Sequence, residues 1–269
     1  MSSNRKETQL YFENHFNCLG NHNRWINCNF PDYIVLDSNL EILKSLAYSD
    51  AKNYFFNGFL SLAQAIDGLR RSEFSWAVIQ LYYCVYYLLR SHLYINNIIL
   101  VRQKSLYLLE IKNGASPSKK NNKKYNSDHQ GTLNHHIDLY KNQDILLSNK
   151  INDKFAYEWM LERREQINYR IAKFQDPKGY EFTNHFKKVD FKNNFYQEIL
   201  KELDDPYIRC FQEETAVLSI PLKRLVLTYK ELYLKLPKKS VLSAQQYLYI
   251  KDKLGTQPLL DKILNHSSI

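Results

Sequence analysis

Residues Ser72–Ile95 read SEFSWAVIQLYYCVYYLLRSHLYI, and the fold class turns on this stretch. Between Val78 and Leu89 only Gln80 is clearly polar. A helix that is apolar nearly all round must be covered on most of its sides, so this segment is expected to be the central helix of a bundle, opened by a cap at Ser72. Immediately before it, Ser49–Arg71 sets Tyr54, Phe55, Phe59, Leu62, Ala65, Ile66 and Leu69 at helical spacing behind a Ser49–Asp50 cap. Further upstream, PDYIVLDSN (Pro31–Asn39) is expected to hold a short strand, and Ser38 or Asn39 to cap a helix through LEILKSL.

Downstream of the central run the pattern changes. NIILVRQKSLYLLEI (Asn97–Ile111) has two β-favouring runs around a polar break, which predicts a hairpin, and SPSKKNNKKYNS (Ser116–Ser127) is a polar loop. A helix near Asp128–Gln143 and a long one near Asn152–Phe174 follow, the second stopped by FQDPKGY. Beyond it lie a short amphipathic helix, FKNNFYQEILKEL, and a long one through Pro221, which is expected to kink or split it. SVLSAQQYLYIKDKL and LLDKIL close the chain. The reading is mainly α: an amino-terminal extension over 1–48, a helical domain over 49–178 with a hairpin and loop inserted at about 96–126, and a carboxy-terminal helical layer over 179–269.

Composition narrows the function classes. The 269 residues include 21 tyrosines, so the core should be aromatic and partly polar. Glycine occurs only seven times, and Gly58 and Gly68, ten positions apart, are the closest pair around the main helices. No glycine-rich phosphate loop of the P-loop or dinucleotide-binding kind can be written anywhere, and no cofactor is implied. The formal charge of +9 favours acidic partners such as nucleic acid, and is equally a feature of lysine-rich proteomes. The first residues are polar, no run reaches the ~18–20 apolar residues of a membrane span, and Cys18, Cys28, Cys84 and Cys210 are scattered. A cytoplasmic protein with free thiols and no membrane contact is the expectation.

Several clusters invite a chemical reading beside a plain one. His15, Cys18, His22 and Cys28 are zinc-ligand types, but the close cysteine pair of a structural site is missing. His129, His135 and His136 cluster as well, yet adjacent helical positions diverge by about 100°, so no metal is expected there. Cys84 reads as a small buried hydrophobe rather than a nucleophile. Lys119, Lys120, Lys123 and Lys124 form a basic run able to touch phosphates, or only to be solvated.

ERREQINYR (Glu162–Arg170) is the most informative. On a regular helix Met160, Ile167, Ile171 and Phe174 make a stripe with Arg164 inside it. Arg163 and Arg170 flank one edge and Asn168 the other, while Tyr169 points nearly opposite, among glutamates. The glutamates and Arg163 read as solvent-facing pairs. Arg164 does not: a guanidinium on an apolar stripe must be paired or must line a cleft.

Three elements in order resemble the HEPN superfamily: Leu81-Tyr82-Tyr83-Cys84-Val85-Tyr86, then Asp128-His129-Gln130-Gly131, then Arg164-Glu165-Gln166-Ile167-Asn168-Tyr169. They are similar to that family's YYA.F, THxG and RxxADY elements over about residues 50–175. The resemblance implies a helical bundle of a bacterial antiphage or toxin–antitoxin system, working as a homodimer or hetero-oligomer with a partner protein encoded nearby. Active members carry Arg, four to six residues, then His, in a cleft that cleaves RNA without metal. Here no arginine is followed by histidine at that spacing. The expected function is therefore binding of a partner protein, nucleotide or RNA through an Arg164-centred cleft, with Arg163, Arg170, Lys119, Lys120, Lys123 and Lys124 contacting nucleic acid. Two alternatives stand beside it: a ribonuclease with a non-standard site of Arg164, Asn168, Tyr169 and His129, and a structural subunit in which Arg164 is a core ion pair.

Overall fold

The computed structural model describes residues 6–236, 240–255 and 257–265. It is mainly helical with two small antiparallel hairpins. Its contacts group residues 1–54 and 89–139 into one compact unit, and residues 55–88 and 140–269 into another. Two long helices contribute to both: α3 (Asp37–Arg70) and α4 (Phe74–Ile95). Among the described residues no helix is long and apolar enough to cross a membrane.

The first unit holds α1 (Glu7–His15), α2 (His22–Asn27), β1 (Ile98–Arg102), β2 (Leu106–Glu110) and α5 (Asp128–Tyr140). The β1–β2 hairpin is the one its two aliphatic runs predict, pairing Ile98 with Glu110 through Arg102 with Leu106. Ile99, Leu100, Val101, Leu106 and Leu109 are buried in it. Helix α5 lies close against this hairpin at Gly131, where a Cβ would sit 2.5 Å from Leu106 Cδ2 and 2.7 Å from the Tyr125 carbonyl oxygen. The expected strand in PDYIVLDSN is absent. Phe30–Asp32 forms a 3-10 turn, and Val35 only exchanges single backbone hydrogen bonds with Gly114 and Ala115.

Helix starts depart from the sequence reading for one physical reason. Ser49–Asp50 does not open a helix, because α3 already runs from Asp37. The Asp50 carboxylate, 2% exposed, instead accepts from Glu7 N (2.8 Å), Thr8 N (3.0 Å) and Thr8 Oγ1 (2.7 Å). It satisfies the orphan donors at the start of α1 rather than those of its own helix. Ser72 likewise is a left-handed turn residue (φ 62°), and α4 starts at Phe74. In the second unit the Ser75 N–H of α4 donates to Asp176 Oδ1 at 3.0 Å, again a distant cap.

The second unit also contains β3 (Lys150–Ile151), β4 (Lys154–Phe155), α6 (Ala156–Glu165), α7 (Asn184–Lys188), α8 (Phe191–Asp204), α9 (Glu213–Lys235), α10 (Ala244–Leu254) and α11 (Gln257–Asn265). The expected helix over Asn152–Phe174 is shorter at both ends. Asn152 (φ 48°) and Asp153 (φ 63°) make the tight turn of the β3–β4 hairpin, which two consecutive left-handed residues suit. After Glu165, residues Gln166–Arg170 wind as one π-turn and the helix stops there. Pro221 does not split α9, which passes through it with Leu218, Ile220, Leu222 and Leu225 buried.

Helix α4 is buried at all but four of its 22 residues, as a central helix should be. Gly58 on α3 allows a close approach to it: a Cβ there would lie 2.9 Å from Leu88 Cγ and 3.2 Å from the Cys84 carbonyl oxygen. The expected polar component of the core is present. Tyr157 hydroxyl donates to Asp144 Oδ2, which also pairs with Arg224 Nη1 at 3.0 Å, and both charged side chains are 3% exposed.

Candidate nucleic-acid interface

The four α4 residues that escape burial are Trp76, Gln80, Tyr83 and Tyr87. Their spacing of four, three and four places them on one narrow helical stripe. Three of the four are aromatic, and Trp76 is 57% exposed. Beside this stripe lies the segment that follows α6. Phe174 packs edge-on to Trp76 (ring centroids 5.8 Å, interplanar angle 86°).

Arg164 is the centre of the arrangement. Its guanidinium carbon lies 5.7 Å from the Tyr82 ring centroid, 5.9 Å from that of Tyr83 and 5.2 Å from that of Tyr169. All three are within the reach of a cation–π attraction. The π-turn explains the third ring. On a regular helix residue 169 points away from residue 164, but the π-turn over Gln166–Arg170 advances less per residue and swings Tyr169 back toward the arginine. The outward Tyr169 expected from 100° spacing is thus corrected, although the ring itself remains 71% exposed.

The core ion pair considered for Arg164 is not formed: no carboxylate lies within 4 Å of its guanidinium among the described residues, and its buried Nε has no hydrogen-bond partner. Burial works against the charge of Arg164. The Tyr83 hydrogen bond and the fields of Tyr169, Tyr83 and Tyr82 outweigh it and hold its pKa above the ordinary guanidinium value. Burial also pushes the Tyr82 hydroxyl well above its usual range, so this ring stays neutral beside the arginine. The result is a fixed, half-buried cation with aromatic walls and no counter-ion among the described residues.

The neighbouring residues divide. Arg163 is not the solvent-facing residue expected: its side chain is 16% exposed, stacked near Trp159 (5.2 Å) and Phe182 (5.4 Å), and paired with Glu162 at 2.6 Å. Glu162 also holds Lys154, whose hydrogen bond keeps the carboxyl below its usual pKa, against the effect of burial and with further help from Arg163. Arg170 is 61% exposed and only loosely associated with Glu162, at 4.0 Å, so it remains available on the face. Asn168 is half-buried, and its side chain makes no hydrogen bond to Arg164 among the described residues.

The other predicted residues lie in the first unit. His129 sits in the first turn of α5. Lys119, Lys123 and Lys124 are exposed on their loop, whereas Lys120 is engaged by Asp138 and lies 4.7 Å from the Tyr125 ring. Of the histidine–cysteine segment, Cys18 and Cys28 come within hydrogen-bond reach of each other, while His15 packs edge-on to Tyr33 at 5.1 Å. No group of three or more His, Cys, Asp or Glu side chains among the described residues is placed to hold a metal ion.

Sequence reasoning missed Trp76, Tyr87 and Phe174. The signal for the first two was present in the four-three-four spacing around Gln80, the one polar residue of the run. Set against protein families, characterised proteins and solved structures, the chain matches none.

Proposed function

We propose that this protein binds single-stranded RNA, without cleaving it, on the face formed by Trp76, Tyr83, Tyr87, Arg164, Tyr169, Arg170 and Phe174. One observation carries the reading: Arg164 is a half-buried cation in a tyrosine cage, with no carboxylate within 4 Å among the described residues. A charge held this way is costly unless something outside the fold completes it. Phosphate would complete it, and the exposed rings alongside suit unpaired bases, which stack at about 1–3 kcal/mol each. A duplex keeps its base faces covered and gains nothing from those rings. The choice of RNA, and the placement of the chain as a HEPN-type module of a bacterial antiphage or toxin–antitoxin system, rest on the resemblance of its three sequence elements.

Binding is favoured over cleavage because proton transfer needs a group near neutral pKa. No arginine of this chain is followed by a histidine at the four-to-six-residue spacing of the cleaving HEPN members. Titration of a labelled single-stranded RNA at 50 and 200 mM salt tests the proposal. Affinity should fall steeply with salt, and Arg164→Ala should weaken binding about ten- to a hundredfold, the ~1.5–3 kcal/mol of a charge-assisted hydrogen bond. RNA binding unchanged by Arg164→Ala refutes the reading. RNA cleavage in EDTA that Arg164→Ala abolishes replaces it with the ribonuclease. A lowered melting temperature as the sole effect leaves Arg164 structural.

A further inference from the structure

The aromatic face ends in a cavity that the proposed function does not use. It has a volume of about 370 Å³ and is lined by Gln64, Asp67, Arg71, Trp76, Gln80 and Lys253, with Gly68 and Glu73. Trp76 and Gln80 belong at once to this cavity and to the α4 stripe, so a strand lying along the stripe passes its mouth.

The lining charges are already partly spent. Asp67 and Glu73 both hold Arg71, at 3.0 and 3.1 Å. The arginine is thus shared between two carboxylates, which engage it through Asp67 Oδ2 and both Glu73 oxygens. Three polar side chains are left over. Gln64 and Gln80 are half-buried and their carboxamides make no hydrogen bond among the described residues. Lys253 is exposed, lies 5.6 Å from the Tyr249 ring and forms no ion pair among the described residues.

We infer that this cavity is a nucleobase pocket selective for adenine, built from Trp76 as the stacking wall and Gln80 and Gln64 as the edge readers. The inference rests on the RNA-binding reading and names the base it prefers. A carboxamide presents one donor and one acceptor side by side, the complement of the adenine N6–H and its neighbouring ring nitrogen. Guanine is read best by a free arginine on its O6/N7 edge, and here the arginine of the lining is held by two carboxylates. Uracil and cytosine can also meet a carboxamide, but their smaller rings cover less of the indole, so stacking separates them from the purine. Lys253 stands where it can meet the phosphate of the same nucleotide as a point charge.

The test measures binding of the full chain to labelled rA12, rU12 and rC12 at 50 mM salt, for the wild type, Trp76→Ala, Gln80→Leu and Arg164→Ala, each checked for an unchanged melting curve. The wild type should prefer rA12 over rC12 and rU12 by tenfold or more. Trp76→Ala should lower rA12 affinity at least fivefold and bring the rA12 to rC12 ratio towards one, and Gln80→Leu should lower rA12 affinity as well. Arg164→Ala should weaken all three oligomers while leaving their ranking intact. Equal wild-type affinities for the three, or a preference for rA12 that survives both Trp76→Ala and Gln80→Leu, overturns the adenine pocket and leaves the RNA-binding reading standing. Absence of binding to any of the three removes both.

Discussion

Replacing Asp144 by asparagine isolates the energetics of the buried charge in the second unit. The Asp144 carboxylate accepts from Arg224 Nη1 (3.0 Å) and the Tyr157 hydroxyl through one oxygen, and from the Leu146 N–H (3.0 Å) through the other. Arg224 is 3% exposed and also donates to Thr228 Oγ1 at 3.0 Å and to the Tyr157 hydroxyl at 3.4 Å. Asparagine keeps the shape and one acceptor but removes the counter-charge. Breaking a buried pair in this way costs about 3–5 kcal/mol. The surviving acceptor, and the more distant field of Glu231 on Arg224, set the expectation at the lower end, about 3 kcal/mol. At ~2–4 °C per kcal/mol for a domain of this size, the melting temperature of Asp144→Asn should fall by about 6–12 °C. Urea unfolding followed by circular dichroism reads the free energy directly. The double variant Asp144→Leu with Arg224→Met removes both charges, and it should recover at least half of the loss, because a buried pair replaced by apolar groups is near neutral. An Asp144→Asn protein within about 1 kcal/mol of the wild type, or a double variant whose loss is the sum of its two singles, would refute the reasoning.

Three further outcomes are expected. Asp50→Ala removes three hydrogen bonds from the start of α1 and should cost about 2–4 kcal/mol, with limited proteolysis appearing first within residues 6–20; an unaltered cleavage pattern and stability would contradict the distant cap. Gly131→Ala should destabilise by about 1–3 kcal/mol, since crowding against the Tyr125 carbonyl outweighs the ~1 kcal/mol helix preference for alanine, whereas Gly68→Ala, whose nearest neighbour is 3.4 Å away, should be neutral or stabilising by up to about 1 kcal/mol; both variants are compared by urea midpoint, and the same sign for both would be inconsistent with this packing. His135 is 3% exposed, and burial, with the nearby Lys120, lowers its pKa to about 4. The unfolded chain binds that proton below about pH 6.5 and the folded one only near pH 4, so stability is full above pH 6.5 and is lost as the pH falls. Between pH 7.5 and pH 5 the wild type should lose about 2 kcal/mol more than His135→Gln, and equal losses in urea titrations at the two pH values would dismiss the assignment.

The legibility of this chain follows from how far apart the interacting residues lie. The buried helix α4 and the β1–β2 hairpin declare themselves, because burial on all sides and aliphatic runs around a polar break are one-dimensional patterns. Arg164 was legible as a misfit on an apolar stripe. Its cage was not, since Tyr82 and Tyr83 come from α4 and Tyr169 arrives only through a π-turn, which adds one residue to the turn and has no compositional mark. Helix starts at α1 and α4 were unreadable for a related reason. Their caps, Asp50 and Asp176, stand 42 and 101 positions from the donors Thr8 and Ser75. Local rules credit a Ser-Asp pair to the helix that follows it, and here the carboxylate serves another helix altogether.

That borrowed cap also orders events during synthesis. Thr8 leaves the ribosome 42 residues ahead of the Asp50 that receives its N–H. At roughly 5–20 residues per second, α1 waits about 2–8 s with its first amides bonded to water. A nine-residue helix is too short to hold together alone over that interval. Helix α1 is therefore made before the part of α3 that caps it and settles after it, and its docking reports that the long helix has formed as far as Asp50.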